Sequence, residues 1–263
     1  MQAPTRIIDA HIHLMDESGY MDKLLSAMDR SGIEKCCISG LGPLFGMADN
    51  RAVQREMRRH PDRVIGAWFV RPGVDGPEMI DRAASEGFRM IKVTLPRLPY
   101  DAPECDPLWE RALAHGMPVL FHTGLVAPQA EGRGERISSW NMHPVRVEPV
   151  TREFPDLKVI VAHLGVNWNL DAAELIRMRP NAYADLTGEP DGWRVRVDRG
   201  GIERYLWWED AFDKIVFGTD VHWSKLDTIL RQDLARLDRL GIGRETRERL
   251  FHRNISEMLG HEV

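Results

Sequence analysis

Residues 6–13 read RIIDAHIH, and the fold class turns on this short run. It is apolar and β-branched at its start, too short for an ordinary helix, and ends in two histidines two positions apart. Seven further runs of the same kind follow: Lys35 to Leu41 (KCCISGL), Val64 to Val70 (VIGAWFV), Met90 to Leu95 (MIKVTL), Pro118 to Thr123 (PVLFHT), Lys158 to Leu164 (KVIVAHL), Ala182 to Thr187 (AYADLT) and Ile215 to Asp220 (IVFGTD). Near-continuous apolar runs of this length suit strands buried on both faces, which is the condition of a parallel sheet.

Helical periodicity fills the gaps. Residues 21–31 place Leu24, Leu25 and Met28 on one face and stop before Gly32. Residues 79–86 and 108–115 stop in the same way at Gly87 and Gly116, and residues 225–240 and 245–259 carry longer amphipathic patterns. Strand–helix alternation predicts an α/β protein with a parallel sheet under outer helices. Eight strands predict that the sheet closes into a single (β/α)8 TIM barrel, one domain over residues 1–263, with its active site at the C-terminal ends of the strands. An open doubly wound sheet is the competing arrangement. Against it, no GxGxxG or GxxxxGKS/T phosphate loop follows any run. Residues 126–141 are polar, glycine-containing and aperiodic, and read as a long loop after the fifth strand.

Composition agrees with a large core beneath a charged shell: 263 residues, 43% hydrophobic and 29% charged. A net charge of −5 gives no reason to expect nucleic acid or an anionic membrane as partner. The basic run from Arg55 to Arg59 has acidic neighbours and reads as a solvated helix face. Cys36, Cys37 and Cys105 make an odd count with an adjacent pair, a poor disulfide framework. They read as buried thiols of a reducing compartment. The N-terminus, MQAPTRIIDAHIHL, lacks a signal-peptide core, and no run is long and apolar enough to span a membrane. The expectation is a cytoplasmic protein acting on a small molecule.

The chemistry lies in where the histidines fall. His11 and His13 end the first run, His122 the fifth, His163 the sixth, and Asp220 the eighth. In a barrel those strand ends share one rim, and residues 11 and 13 on one strand point the same way. His11, His13, His122 and Asp220 would then converge as three imidazoles and a carboxylate. That shell suits zinc, and also tolerates manganese, iron or cobalt. Each residue has a plainer reading alone: surface alternation for the HxH pair, a polar strand cap for a lone histidine, a helix N-cap for Asp220. Their joint placement favours one divalent metal ion.

These same residues carry a family resemblance. DAHIH at Asp9 to His13, HTG at His122 to Gly124, AHLG at Ala162 to Gly165 and FGTD at Phe217 to Asp220 resemble the amidohydrolase superfamily. More narrowly they are similar to its amidohydrolase-related (amidohydrolase 2) branch, which includes aminocarboxymuconate semialdehyde decarboxylase. GFRMIKVTL, PLWERALAHGMPVLFHTG and the closing LFHRNISEML match that branch in style. The resemblance implies that His11, His13, His122 and Asp220 bind the metal. It further implies that Asp220 also moves a proton and that His163 contacts or polarises the substrate. Lys92 stands where dinuclear relatives carry a carbamylated lysine; a structural lysine, or one pairing with a substrate carboxylate, is preferred here, so one metal is expected. Relatives often form dimers, which makes a homodimer the family expectation.

Further candidates face the same rim. Arg71 in FVRPG reads either as a bidentate clamp for a substrate carboxylate or as a surface ion pair. His222 lines the pocket or lies outside it. Trp140, with Asn141 and Trp168, would shape a substrate site or simply pack. Glu189 follows the seventh run. The first functional expectation is a metal-dependent hydrolase of a small cyclic or carboxylated substrate (a lactone, ester or amide) using a metal-activated water. The alternative is a lyase with the same shell, a non-oxidative decarboxylase or hydratase of an unsaturated or aromatic acid. A non-catalytic barrel is the third reading, and it predicts a missing ligand where none of the four is missing.

Overall fold

The computed structural model describes residues 4–125 and 137–260. Most of the loop expected at residues 126–141 therefore lies outside the described residues; Ser139–Met142 form a short 3-10 turn. The strands are β1 (Ile8–His13), β2 (Lys35–Ser39), β3 (Val64–Val70), β4 (Met90–Val93), β5 (Val119–Phe121), β6 (Val159–Val161), β7 (Ala182–Asp185) and β8 (Ile215–Val216). They pair in parallel in chain order, β1 to β8. The helices between them are α1 (Tyr20–Ser31), α2 (Asn50–Arg59), α3 (Glu78–Ser85), α4 (Asp106–Ala114), α5 (Glu148–Glu153), α6 (Asn169–Met178), α7 (Trp193–Gly200) and α8 (Leu226–Arg239). The sheet closes on itself: Ala10 N donates to Phe217 O at 2.9 Å, and Thr219 N and Asp220 N donate to His11 O at 3.2 and 2.7 Å. The fold is the expected (β/α)8 barrel. Among the described residues no helix is long and apolar enough to cross a membrane.

Two apolar layers hold it. Ile8, Ala10, Cys37, Ala67, Met90, Leu120, Ile160, Ala162 and Val216 fill the barrel interior, joined by Ile255, Met258 and Leu259 from the C-terminal segment. A second layer lies between strands and helices and includes Ile12, Trp68, Phe88, Tyr100, Trp109 and Phe121. Cys36, Cys37 and Cys105 are buried and free, and burial pushes the Cys105 thiol up to about 12.

The phase of β1 matters most. Strict alternation would put Ile8, Ala10 and Ile12 on one face and the two histidines on the other. The ladder to β2 shifts between Asp9, opposite Cys36, and Ile12, opposite Ile38, so three steps on β1 face two on β2. The extra residue reverses the pleat. Ile8 and Ala10 therefore enter the interior plug, Ile12 turns outward, and both imidazoles face the axis above the plug.

Two expectations need correction. The later strands are shorter than their runs, so His122, His163 and Asp220 lie one, two and four residues past the last strand position. The chain leaves the ladder there to form the rim. The single helix expected at residues 245–259 is α9 (Arg244–Glu248), a π-helical turn (Arg249–Arg253) and α10 (Asn254–Met258). Leu250 O accepts from Phe217 N at 2.8 Å, so that carbonyl serves the barrel seam and the helical ladder widens around it.

Asp9 staples that seam. Its Oδ1 accepts from His11 N (3.0 Å) and Thr219 N (3.1 Å), and its Oδ2 accepts from the Thr219 hydroxyl (2.6 Å). Burial pushes its carboxyl up to about 7, against the three donors that favour the charged form. Asp9→Ala strands those donors in the interior and should cost about 2–4 kcal/mol. Urea unfolding of the two proteins checks this; equal midpoints would show that closure does not depend on Asp9.

Candidate metal centre

Above the interior plug sits a polar layer organised by Asp185, the last residue of β7, which is fully buried. Its Oδ2 meets His11 Nδ1 at 2.9 Å. Its Oδ1 accepts from His163 N (2.7 Å), Thr187 N (3.1 Å) and the Thr187 hydroxyl (2.7 Å). A carboxylate only accepts, so His11 carries its proton on Nδ1 and its Nε2 keeps a lone pair. Thr187 spends its one proton on Asp185, so its oxygen accepts from His163 Nδ1 at 2.7 Å. His163 Nε2 then accepts from His122 Nδ1 at 3.2 Å, leaving His122 Nε2 as a lone pair. That nitrogen is buried and has no hydrogen-bond partner. On the other side, His13 Nδ1 lies 2.9 Å from the Ser39 hydroxyl, its second neighbour there being the Ser39 carbonyl. Donation through Nδ1 leaves His13 Nε2 as another lone pair.

These lone pairs face a carboxylate. Asp220 Oδ1 lies 3.1 Å from His13 Nε2 and 3.8 Å from His11 Nε2, and Asp220 Oδ2 lies 3.6 Å from His163 Nδ1. The donor atoms of His11, His13 and Asp220 all lie within 4.8 Å of one another. Acceptors held this close in a buried layer repel unless a cation stands among them. Together with the orphaned His122 Nε2, this donor set fits a divalent metal ion.

Local backbone aims the rim residues. His163 has φ 62° and Asp220 φ 49°, left-handed values that non-glycine residues rarely adopt and that recur at functional sites. They fold the chain back at the strand ends, and the Asp220 N–H reaches His11 O in doing so. Gly218 makes room: a Cβ there would lie 2.8 Å from Thr187 Cγ2 and 2.9 Å from His11 Cβ.

Burial sets the charges. It pushes His163 down to about 4 and lowers His11 and His122 as well. Burial alone would raise Asp220; the downward pull on its carboxyl comes from His11, His13 and His163 in their protonated forms, and neutral rings do not supply it. Lys92, inside β4, is lowered to about 8 by burial, with Asp220 and Asp185 pulling the other way. Its Nζ lies 2.8 Å from His11 Nε2. His13, Lys92, His122, His163 and Asp220 line one open pocket with Leu41, Phe45, Met47, Thr94, Leu125, Val166, Gly188 and Trp193.

A sequence profile of the amidohydrolase family (Amidohydro_2) matches residues 41–261. The chain belongs to this family. No curated protein matches it by sequence. Among solved structures, an uncharacterized TIM-barrel protein, Bb4693 from Bordetella bronchiseptica, superposes with TM-score 0.75 at 17% identity, covering 97% of this chain and 98% of that one. A candidate 2-pyrone-4,6-dicarboxylic acid hydrolase from Pseudomonas putida gives 0.67 at 16% identity, over 99% and 100% of the two chains. A variant of 5-carboxyvanillate decarboxylase LigW2 from Novosphingobium aromaticivorans, with manganese and 3-methoxy-4-hydroxy-5-nitrobenzoic acid bound, gives 0.66 at 13% identity, over 97% of each chain. At these identities the likeness speaks for the fold.

Other candidates of this amidohydrolase fall elsewhere. Arg71 Nε donates to Leu95 O at 3.2 Å, and the residue lines a neighbouring pocket that shares Leu41 with the first. His222 Nδ1 meets the Ser224 hydroxyl at 2.8 Å, its Nε2 lies 3.4 Å from Glu17, and its ring packs on Tyr20 and Trp223. Its imidazole caps the turn before α8 instead of lining the pocket. Trp140 is 58% exposed and packs against His143 and Trp168. Asn141 donates to Arg97 O, and Glu189 pairs with Lys225 on the surface. Sequence reasoning missed Asp185, Thr187 and Ser39. The available signal for Asp185 was an acidic residue inside the apolar run AYADLT.

The neutral histidines make a pH prediction. His163, with its pKa near 4 when folded and about 6.5 when unfolded, binds its proton more readily in the unfolded chain. In chelator, its contribution should be whole above about pH 6.5 and be lost as pH falls through 4. His11 and His122 act in the same direction. Urea midpoints at pH 7 and pH 5 should therefore separate, and His163→Gln should narrow the gap; an unaltered gap would count against a neutral, buried His163.

Proposed function

We propose that this amidohydrolase is a metal-dependent hydrolase of a small cyclic or carboxylated substrate: a lactone, ester or amide. The observation that carries this reading is the two-sided placement of Asp220. One oxygen faces the His11 and His13 lone pairs and the other faces His163 in the pocket. His11, His13, His122 and Asp220 would hold one divalent ion, with zinc first and manganese, iron or cobalt also suited to the donors. When bound, such an ion polarises a substrate oxygen and makes a water acidic enough to ionise near neutral pH.

The chain's own groups supply the rest. Asp220 takes the proton of the attacking water on Oδ2, the oxygen that faces His163 in the pocket. It returns that proton to the leaving oxygen or nitrogen as the acyl bond breaks, so the water's elements are divided between acid and leaving group. His163 is placed to polarise the substrate, but both its ring nitrogens are engaged, by Thr187 and His122. Serving a substrate oxygen would require the His122 contact to open and Nε2, an acceptor here, to gain a proton. Otherwise His163 acts as the positioning residue that fixes the tautomer of His122. Leu41, Phe45, Met47, Val166 and Trp193 form apolar walls around these groups, which limits water and strengthens the charges inside.

The same walls favour a second reading, a non-oxidative decarboxylase or hydratase of a flat, unsaturated acid. Here Asp220 would exchange a proton with substrate carbon. Metal analysis followed by a screen of lactones, esters, amides and unsaturated carboxylic acids, with and without chelator, tests both. The expected result is about one divalent ion per chain and hydrolysis that the chelator abolishes. Asp220→Asn should cut kcat by about 10²–10⁴, and a His11→Ala/His13→Ala double variant should lose its metal. Carbon dioxide release from acids with no lactone, ester or amide turnover would transfer the assignment to the lyase; full metal content in the double variant would overturn the ligand set.

A further inference from the structure

Lys92 is a lysine buried in the barrel interior. Its side chain is 1% exposed, it lies inside β4 just above the apolar plug, and its ammonium meets His11 Nε2 at 2.8 Å. Asp220 and Asp185 supply the nearby negative charge. It is also a wall of the pocket that holds the candidate metal centre, and among the described residues lining that pocket it is the one lysine or arginine. Arg71, the other candidate for a carboxylate, lines the neighbouring cavity and donates to Leu95 O.

His11 Nε2 has one lone pair, because Nδ1 is committed to Asp185. That single lone pair is at once the contact of Lys92 and one of the three donors that converge on the candidate metal position. An ammonium and a divalent ion cannot share it. The ammonium stands in for the ion at His11, with the charges of Asp220 and Asp185 nearby. An ion that takes His11 leaves a buried ammonium short of an acceptor, beside a second positive charge and facing the pocket. Such a group is costly until an anion meets it.

We infer that Lys92 seats the carboxylate of the substrate, and that metal binding readies it by displacing its ammonium from His11. The inference rests on the metal-dependent reading of the site and names the substrate class within it: acids, with a carboxylate at β4 and an apolar body against Phe45, Met47 and Trp193. The metal and the acid then bind cooperatively, since each removes a cost the other would meet.

Calorimetric titration at pH 7 tests this without any turnover assay. Manganese is titrated into chelator-stripped wild-type protein, Lys92→Met and Lys92→Gln; benzoate and uncharged benzamide are then titrated into the manganese-loaded proteins, with thermal melts confirming that each variant is folded. Methionine keeps the length and apolar stem of the lysine, and glutamine keeps polarity without charge. Removing the competitor should tighten manganese binding about tenfold in both variants, and removing the cation should weaken benzoate about tenfold, the scale of one charge-assisted hydrogen bond. Benzamide should bind all three proteins alike, and Arg71→Met should leave benzoate unchanged. Equal manganese affinity in wild type and variants, equal benzoate affinity, or loss of benzoate in Arg71→Met would each overturn the inference and leave the metal centre standing. Wild-type protein that binds no manganese, zinc or cobalt would overturn the metal reading itself, and this inference with it.

Discussion

The carboxylate of Asp185 is the constraint on which the site depends. It is fully buried, and four donors spend themselves on it: the His11 ring, the His163 and Thr187 amides and the Thr187 hydroxyl. Each hydrogen bond also decides where a proton sits. His11 must be protonated on Nδ1, Thr187 must turn its lone pairs to His163, and the chain of donations runs on to His122. The outcome is a set of imidazole lone pairs pointing one way, which no single histidine would adopt by itself. A buried acceptor with every position filled is rigid as well as satisfied.

That rigidity has an electrostatic consequence. The inner layer holds the His11 and His13 lone pairs and the Asp220 carboxylate close together, with the orphaned His122 Nε2 in the same pocket, above a plug of aliphatic side chains that cannot screen them. Such an arrangement is unfavourable without a cation and favourable with one. Lys92 supplies a weak, tethered cation; a divalent ion supplies a stronger one. The positive φ values at His163 and Asp220 belong to the same account: strain at the rim is tolerated because Asp185 and the β1 seam hold both residues from several sides. The rim is therefore preorganised by the interior beneath it, with apolar walls around it.

Much of this was legible before any coordinates. The eight runs, the glycine stops after the helices and the placement of His11, His13, His122, His163 and Asp220 near strand ends all survive in the barrel. Less legible were details where two segments compete for one backbone group. Leu250 gives its carbonyl to Phe217, which breaks the closing helix with a π turn. His222 and Trp140 flank rim segments, and the sequence left both a pocket role and a packing role open. Their side chains contact Ser224, Glu17 and Tyr20, and His143 and Trp168, respectively. Asp185 had one local mark, an acidic residue inside an apolar run, and its role was hidden because its partners lie 174 and 22 residues away in sequence.

The sequence by itself determined the strand–helix alternation, the eightfold count and the residue types at the rim, since these depend on local periodicity and on the short range of side-chain chemistry. It also determined that one rim would collect the histidines, because parallel strands in a barrel end on the same side. Only the tertiary structure decided which way each imidazole faces. That depends on one extra residue in the β1 ladder, which reverses the pleat between Ala10 and His11, and on a carboxylate from β7 that selects the tautomer. Pleat phase and proton position are settled by pairing across the barrel, and pairing partners distant in the chain leave no mark on the residues beside them.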